Sequence, residues 1–332
     1  MLEGRRAEVL RALVEEHIRT GQPVSSRAIL ERSRLDVSSA TVRNDLAALE
    51  REGYAVQPHT SAGRVPTATA YRYYVDHLRP AHLRGATHEK IASFFSEVQF
   101  ELSKLLQATS DLLAEITDLP SVVVAPGVAH DRVRVLHVVQ LSSDQILVIV
   151  VTEGGRVIQQ RGRPETPLTP MEVEEAQELL ATVAVGEELG RVTLADDALA
   201  SAAEPVREAI RTVNDCLHDA AAAGSEMFVG GTRRMAVAWE DLSTIQRVLE
   251  ILEREAEVLK LLASAPGTYV RMGAELVGGD LDMAVVSRSY DASGEAGSVG
   301  VIGPMRMNYK RAISAVEEVT RELEERISSE GD

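Results

Sequence analysis

The stretch from Val37 to Thr67, VSSATVRNDLAALEREGYAVQPHTSAGRVPT, leaves this chain the fewest choices of fold. Ser38 or Ser39 is suited to cap a helix, because a serine hydroxyl accepts from an orphan amide at the helix start. Val42, Leu46 and Leu49 then recur at i, i+4 and i+7, which turns one narrow apolar stripe toward a core. Glu52-Gly53 makes an elbow. Ser61-Ala62-Gly63 closes a tight ribbon between Tyr54-Ala55-Val56-Gln57 and Arg64-Val65-Pro66. The faces of the helix away from the stripe carry Ser39, Ala40, Thr41, Arg43 and Asn44, a small polar surface able to meet base edges.

Upstream, Leu2 to Arg19 has a helical pattern with Val9, Leu10, Leu13, Val14 and Ile18 inward, and Gly21-Gln22-Pro23 stops it. A second short helix starts at Ser25 or Ser26 and runs through Ile29 and Leu30. Three short helices followed by a ribbon is the order of a winged helix-turn-helix, in which the third helix enters the DNA major groove. A three-helix packing module with an ordinary hairpin would share that pattern. Charge separates the two readings. The chain carries a net −16, but residues 1–84 hold 13 Arg and no Lys against 10 Asp and Glu, a local +3 that leaves −19 on the remainder. Only the first segment can approach phosphate without strong repulsion.

The strings SSATVRN at 38–44, PHTSAGRVPT at 58–67 and YRYYVD at 71–76 resemble the HrcA family of heat-inducible transcription repressors. GSVGVIGPMRMNY at 297–309 resembles that family's carboxy-terminal signature, with Met305 and Asn308 as departures. Ala70 stands where the family usually shows glycine, at the start of the helix after the wing. The middle, 227–262, is similar more loosely, and Arg233, Arg234 and Trp239 depart from the usual residues. The resemblance implies a multidomain α+β chain: an N-terminal winged helix-turn-helix, then a GAF-like α+β domain interrupted by a mainly helical dimerisation insert. The expected boundaries are 1–85 for the DNA-binding domain with its linker, 86–192 and 268–332 for the GAF-like parts, and 193–267 for the insert.

The rest of the pattern fits an α+β body. From His88 to Thr117 apolar residues recur as Ile91, Phe94/Phe95, Val98, Leu102, Leu105/Leu106, Leu112/Leu113 and Ile116, predicting one long amphipathic helix. β-Branched runs follow at Ser121–Ala125, Val133–Leu141 and Gln145–Thr152, with a turn at Glu153-Gly154-Gly155-Arg156. Thr169-Pro170-Met171-Glu172 is a capping box with proline at the first helical position. Helical periodicity dominates Asp196–Leu262. Strand character returns at Thr268–Met272, Leu281–Ser287 and Ser298–Ile302 before a final helix from about Asn308. Arg79-Pro80 and Arg84-Gly85 mark a linker. Tyr71, Tyr73 and Tyr74 beside Arg72 could stack on bases, but aromatics at helical spacing more often pack.

Chemistry of other kinds finds no footing. The single Cys216 forms no internal disulfide, and no paired-cysteine metal motif exists. His77, His82 and His88 do not share a helical face, and no acidic or cysteine partner completes a metal set. Gly297, Gly300 and Gly303 alternate with valine and isoleucine and meet neither dinucleotide nor Walker spacing, so close strand–helix packing explains them. There is no nucleophile elbow, no long apolar span and no signal sequence; a reducing cytoplasm is the expected compartment, and no cofactor is expected. The DNA-contact residues expected are Ser26, Ser38, Ser39, Thr41, Arg43, Asn44, His59, Ser61 and Arg64. Arg43 suits guanine or phosphate, Asn44 an adenine edge, and Arg64 would clamp the wing. The expected function is negative regulation of heat-shock chaperone operons by a homodimer on an inverted repeat. The resemblance further implies an operator of the CIRCE type, loss of activity on heat stress, and assistance by the chaperonin GroEL. A ligand-sensing winged-helix regulator of a metabolic operon, or a metabolite-binding α+β protein that does not bind DNA, are the alternatives.

Overall fold

The computed structural model describes the chain except residues 1, 3, 34, 60–61, 79–82, 84, 99–100, 193–201, 223–225, 240, 263–266, 277–281, 293–294 and 331–332. It opens with three helices, α1 (Arg5–Thr20), α2 (Ser26–Arg32) and α3 (Ser39–Arg51). Each boundary has a local cause. Gly21 ends α1 in the left-handed region at φ 67°, where a side chain is disfavoured. Ser25 and Ser38 cap α2 and α3 by accepting from Ala28 N and Thr41 N. Val9, Leu10, Leu13 and Val14 of α1 meet Ile29, Val42, Leu46 and Leu49, all buried.

A two-stranded ribbon follows, β1 (Ala55–Val56) paired with β2 (Val65–Pro66). Its return arm lies on the connection between α1 and α2, where Val24 and Arg64 exchange two backbone hydrogen bonds of 2.8 Å. A Cβ at Gly63 would stand 2.4 Å from the Val24 carbonyl carbon and oxygen, so only glycine permits this approach. Helix α4 (Ala68–Asp76), capped by Thr67, then turns Tyr71 and Tyr74 inward. Burial rules these two rings out as an exposed stacking platform.

The body is built on a five-stranded antiparallel sheet of β3 (Ser121–Val124), β7 (Met227–Gly230), β8 (Thr268–Met272), β9 (Ala284–Ala292) and β10 (Glu295–Gly303), in the order β7-β3-β10-β9-β8. Strand alternation sorts its side chains. Val123, Val286, Val299 and Val301 face the core shared with α6 (Leu102–Thr117) and α12 (Tyr309–Glu330). Val122, Val124, Val285 and Ile302 face a cap made of α9 (Met235–Ala238), α10 (Leu242–Leu252) and α11 (Glu255–Leu261). The glycines of β10 are sites of close packing: a Cβ at Gly297 would meet the Tyr290 ring at 2.3 Å, and one at Gly300 would meet Leu262 at 2.4 Å.

Between β3 and β7 the chain leaves this sheet. It forms a separate antiparallel sheet of β4 (Val133–Ser142), β5 (Gln145–Thr152) and β6 (Val157–Gly162), covered by α7 (Pro170–Ala184) and α8 (Glu204–Ala222). Their core, from Val133 to Ala220, is distinct. The capping box at Thr169 forms as read, with Thr169 Oγ1 accepting from Glu172 N and Glu172 Oε2 accepting from Thr169 N.

Two expectations meet a different packing. The helix expected over His88–Thr117 is two helices, α5 (Gly85–Glu97) and α6, with Glu101 extended between them. Thirty residues in one straight helix would run about 45 Å, past the roughly 33 Å of α12; dividing it lets Ile91 and Phe95 as well as Leu105 and Leu106 bury in the α12 core. The 193–267 segment does not pack as one insert either. Among its described residues, α8 closes the separate core, β7 joins the large sheet, and α9–α11 cap that sheet. Strand pairing over long sequence separations decides this, and β-branched runs do not report which sheet they enter. Of the linker, Arg79, Pro80 and Arg84 lie outside the described residues, while Gly85 begins α5.

Candidate nucleic-acid interface

The surface gathers at the start of α3. Ser38 Oγ accepts from Thr41 N at 3.1 Å and sits 2.9 Å from Thr41 Oγ1, so both hydroxyls are fixed around the helix N-terminus. Ser39 Oγ lies 3.1 Å from Ser26 Oγ, which ties the start of α3 to the start of α2. The amide groups and partial positive charge of a helix N-terminus favour an anion there. One turn on, Arg43 and Asn44 are exposed and make no side-chain hydrogen bond or ion pair with the described residues.

The acidic residues of α3 are neutralised away from that face. Asp45 is buried and receives Arg5 Nε at 2.7 Å and Arg5 Nη2 at 3.2 Å. Glu50 pairs with Arg64 at 2.9 Å, and Glu52 just past the helix pairs with Arg6 at 2.8 Å. The outward face therefore keeps Ala40, Arg43, Asn44, Ala47 and Arg51, with both arginines unpaired among the described residues. Arg51 was not among the expected contacts, although the spacing 40, 44, 47, 51 places it on the Asn44 face.

The ribbon departs from expectation in one respect. His59 is exposed, with its carbonyl accepting from Ala62 N at 2.9 Å, and Ser61 lies outside the described residues. Arg64 is expected among the DNA contacts, clamping the wing with its side chain on phosphate or in the minor groove. Its side chain is only 17% exposed and turns inward onto Glu50, while its backbone is held by Val24. The close approach at Gly63 is the cause, since it brings the Arg64 side chain against the last turn of α3. In this arrangement Arg64 fastens the ribbon to α3 and does not project from it.

Elsewhere, no three His, Cys, Asp or Glu side chains among the described residues are grouped as metal ligands. Cys216 is buried, and burial raises its thiol pKa to about 11, so it is a poor nucleophile. Among the described residues no helix is long and apolar enough to cross a membrane.

Comparison with known proteins identifies the family. The family model described as HrcA protein C terminal domain matches residues 103–313. A protein of Acidothermus cellulolyticus named heat-inducible transcription repressor HrcA is 38% identical, over 97% of this chain and 97% of that protein. Its namesake from Nocardia farcinica is 36% identical, over 97% of this chain and 96% of that protein. A crystal structure of a hypothetical protein at 2.2 Å resolution covers 99% of this chain and 100% of its own, at 25% identity and a TM-score of 0.66. On the identity and coverage of these relatives, the chain belongs to the HrcA family of heat-inducible transcription repressors, which are negative regulators of heat-shock genes and not enzymes.

Proposed function

We propose that this chain binds an inverted-repeat operator of the CIRCE type as a cytoplasmic homodimer, and so holds chaperone operons silent until heat inactivates it. The observation that carries the reading is the outward face of α3: Arg43 and Asn44 exposed one turn from its capped N-terminus and Arg51 exposed at its far end, both arginines unpaired among the described residues, on a segment, 1–84, with a local net charge of +3. In this reading α1–α3 with β1 and β2 form a winged helix-turn-helix, and α3 lies in the major groove. Arg43 reads guanine and Asn44 an adenine edge. Ser26, Ser38, Ser39 and Thr41 bind phosphate at the helix start, and His59 and Ser61 approach the backbone from the ribbon tip. Arg64 supports the ribbon from behind. The five-stranded sheet with its helices is the GAF-like part.

The open face of the β4–β6 sheet supports dimerisation. Register places Val135 opposite Val151, His137 opposite Ile149 and Val139 opposite Leu147, with Val157 beyond Val151. All lie on the side away from α7 and α8. Val135 is 45% and Val157 60% exposed, and an apolar sheet face of this kind marks an association surface. A two-fold dimer imposes two-fold symmetry on its operator. Assistance by GroEL has a physical basis as well: β3 pairs with β10 from the far end of the chain, and such non-local pairing folds slowly and exposes apolar strands.

An electrophoretic shift on an inverted-repeat operator and on random duplex tests the proposal. A salt-sensitive, sequence-selective complex is expected, and Arg43→Ala should weaken operator binding by about 1–3 kcal/mol. An equal loss on both duplexes would reduce Arg43 to a phosphate contact, and no selective complex with the unaltered protein would sink the reading.

A further inference from the structure

We propose that the junction between the α1–α4 head and the body is a positioning device that sets the half-site spacing the dimer accepts. The inference rests on the operator-binding reading above and adds a determinant of specificity that lies outside the DNA-contact surface. Its residues come from the two ends of the chain. Tyr71 of α4 packs on Tyr309 at the start of α12, with ring centroids 6.2 Å apart, both rings buried. The Tyr71 hydroxyl lies 2.7 Å from Nδ1 of His17, also buried. Arg72 crosses the boundary, donating from Nη1 to the Val270 carbonyl at 2.7 Å and approaching Glu275 Oε2 at 3.3 Å. Lys310 Nζ reaches Glu15 of α1 at 2.7 Å. The Arg306 guanidinium comes so near Gly21 that an added Cβ there would touch it at 3.4 Å.

The head is therefore not carried on a free tether. Its core residues, among them Leu10 and Tyr71, belong to one continuous apolar cluster with Tyr309, Val316 and the β-sheet. The contacts come from α4 and the C-terminal half of α1, while Arg43, Asn44 and Arg51 on α3 remain exposed. Docking presents the reading surface and does not cover it, which favours a role in aiming the head over one in silencing it. The strings YRYYVD and GPMRMNY, widely separated in sequence, meet at this boundary.

Bivalent binding explains what such a junction would do. The second half-site is engaged at an effective concentration set by how well the spacing of the heads matches the DNA, and that gain vanishes when geometry forbids simultaneous contact. Heads aimed by a fixed junction accept one spacing. Heads released from it accept several, each less tightly.

The test uses the full chain and its Arg72→Ala/Lys310→Ala variant on three duplexes: an operator of native spacing, one with about two base pairs inserted between half-sites, and a lone half-site. The insertion rotates one half-site by roughly 70° about the DNA axis. The unaltered protein should lose roughly a hundredfold on insertion, within the range avidity supplies. The variant should bind the native spacing about tenfold less tightly, lose little more on insertion, and match the unaltered protein on the lone half-site. Tyr71→Phe, which removes only the hydroxyl, serves as a second variant should the first fail to fold, and should shift the spacing ratio the same way. A spacing ratio unchanged in a folded variant, or an equal loss on all three duplexes, overturns the positioning role. Absence of any operator complex with the unaltered protein refutes the repressor reading itself, and this inference with it.

Discussion

Gly63→Ala is the most direct probe of how the ribbon is held. The added methyl carbon would stand 2.4 Å from the Val24 carbonyl carbon and oxygen and 2.8 Å from its nitrogen. Ordinary contact lies near 3.4 Å or beyond, so the ribbon and the α1–α2 connection must part by about 1 Å. That displacement stretches Val24 N to Arg64 O and Arg64 N to Val24 O, both 2.8 Å, beyond useful hydrogen-bond length. Two backbone hydrogen bonds at about 1 kcal/mol each give a local loss of about 2 kcal/mol, before any strain in the Arg64–Glu50 pair. Amide hydrogen exchange reads this locally. A weakening of about 2 kcal/mol corresponds to roughly thirtyfold faster exchange at Val24 and Arg64. Amides in β9 and β10, in the body, should not change. Unchanged exchange at Val24 and Arg64 would refute the claim that close backbone approach requires glycine here.

Other perturbations address separate parts of the account. Val157→Asp, at a position 60% exposed on the β4–β6 sheet, should shift the protein from dimer to monomer in sedimentation with its circular dichroism unchanged; a dimer of unchanged affinity would remove that face from the interface. Burial first, and then the Arg306 charge, hold the His17 pKa below its ordinary 6.5. A histidine kept neutral in this way contributes stability above pH 6.5 that is lost as pH falls through its lowered pKa. Melting temperature should therefore drop on acidification below about pH 6.5, and His17→Gln should blunt the drop; an identical profile in the variant would count against a role for His17. His130 has its pKa raised, first by its hydrogen bond to Glu188. That bond is strongest below pH 6.5 and fades as pH rises through the raised value, so Nδ1 chemical shifts of His130 should titrate above 6.5, and Glu188→Gln should return them toward it.

Local features were the most legible in the sequence. The serine caps of α2 and α3, the capping box at Thr169 and the stripe Val42, Leu46 and Leu49 are set by neighbouring residues, and each forms as read. The packing of Tyr71 and Tyr74 was also inferable from residue type and spacing; the β10 glycines are close-packed, but Gly297 meets Tyr290 of the neighbouring strand and not a helix. What depended on distant partners was not. Arg64 looked free to reach outward until Gly63 laid the ribbon on Val24 and Glu50 took its guanidinium. The β-branched runs at 133–162 and 268–303 have one signature, yet they enter different sheets, because pairing is decided by which apolar faces meet in space. The division of α5 from α6 is likewise not signalled by a proline or glycine between them; both halves bury residues in the core shared with α12.

The central claim is that the start of α3 reads one half of an inverted repeat in each protomer. Hydroxyl-radical protection of an operator duplex by the unaltered protein tests it most directly. Two protected patches related by two-fold symmetry are expected, about one or more whole helical turns apart, and weakened in both halves by Arg43→Ala. A single asymmetric patch, or a symmetric one that Arg43→Ala leaves intact, would contradict it.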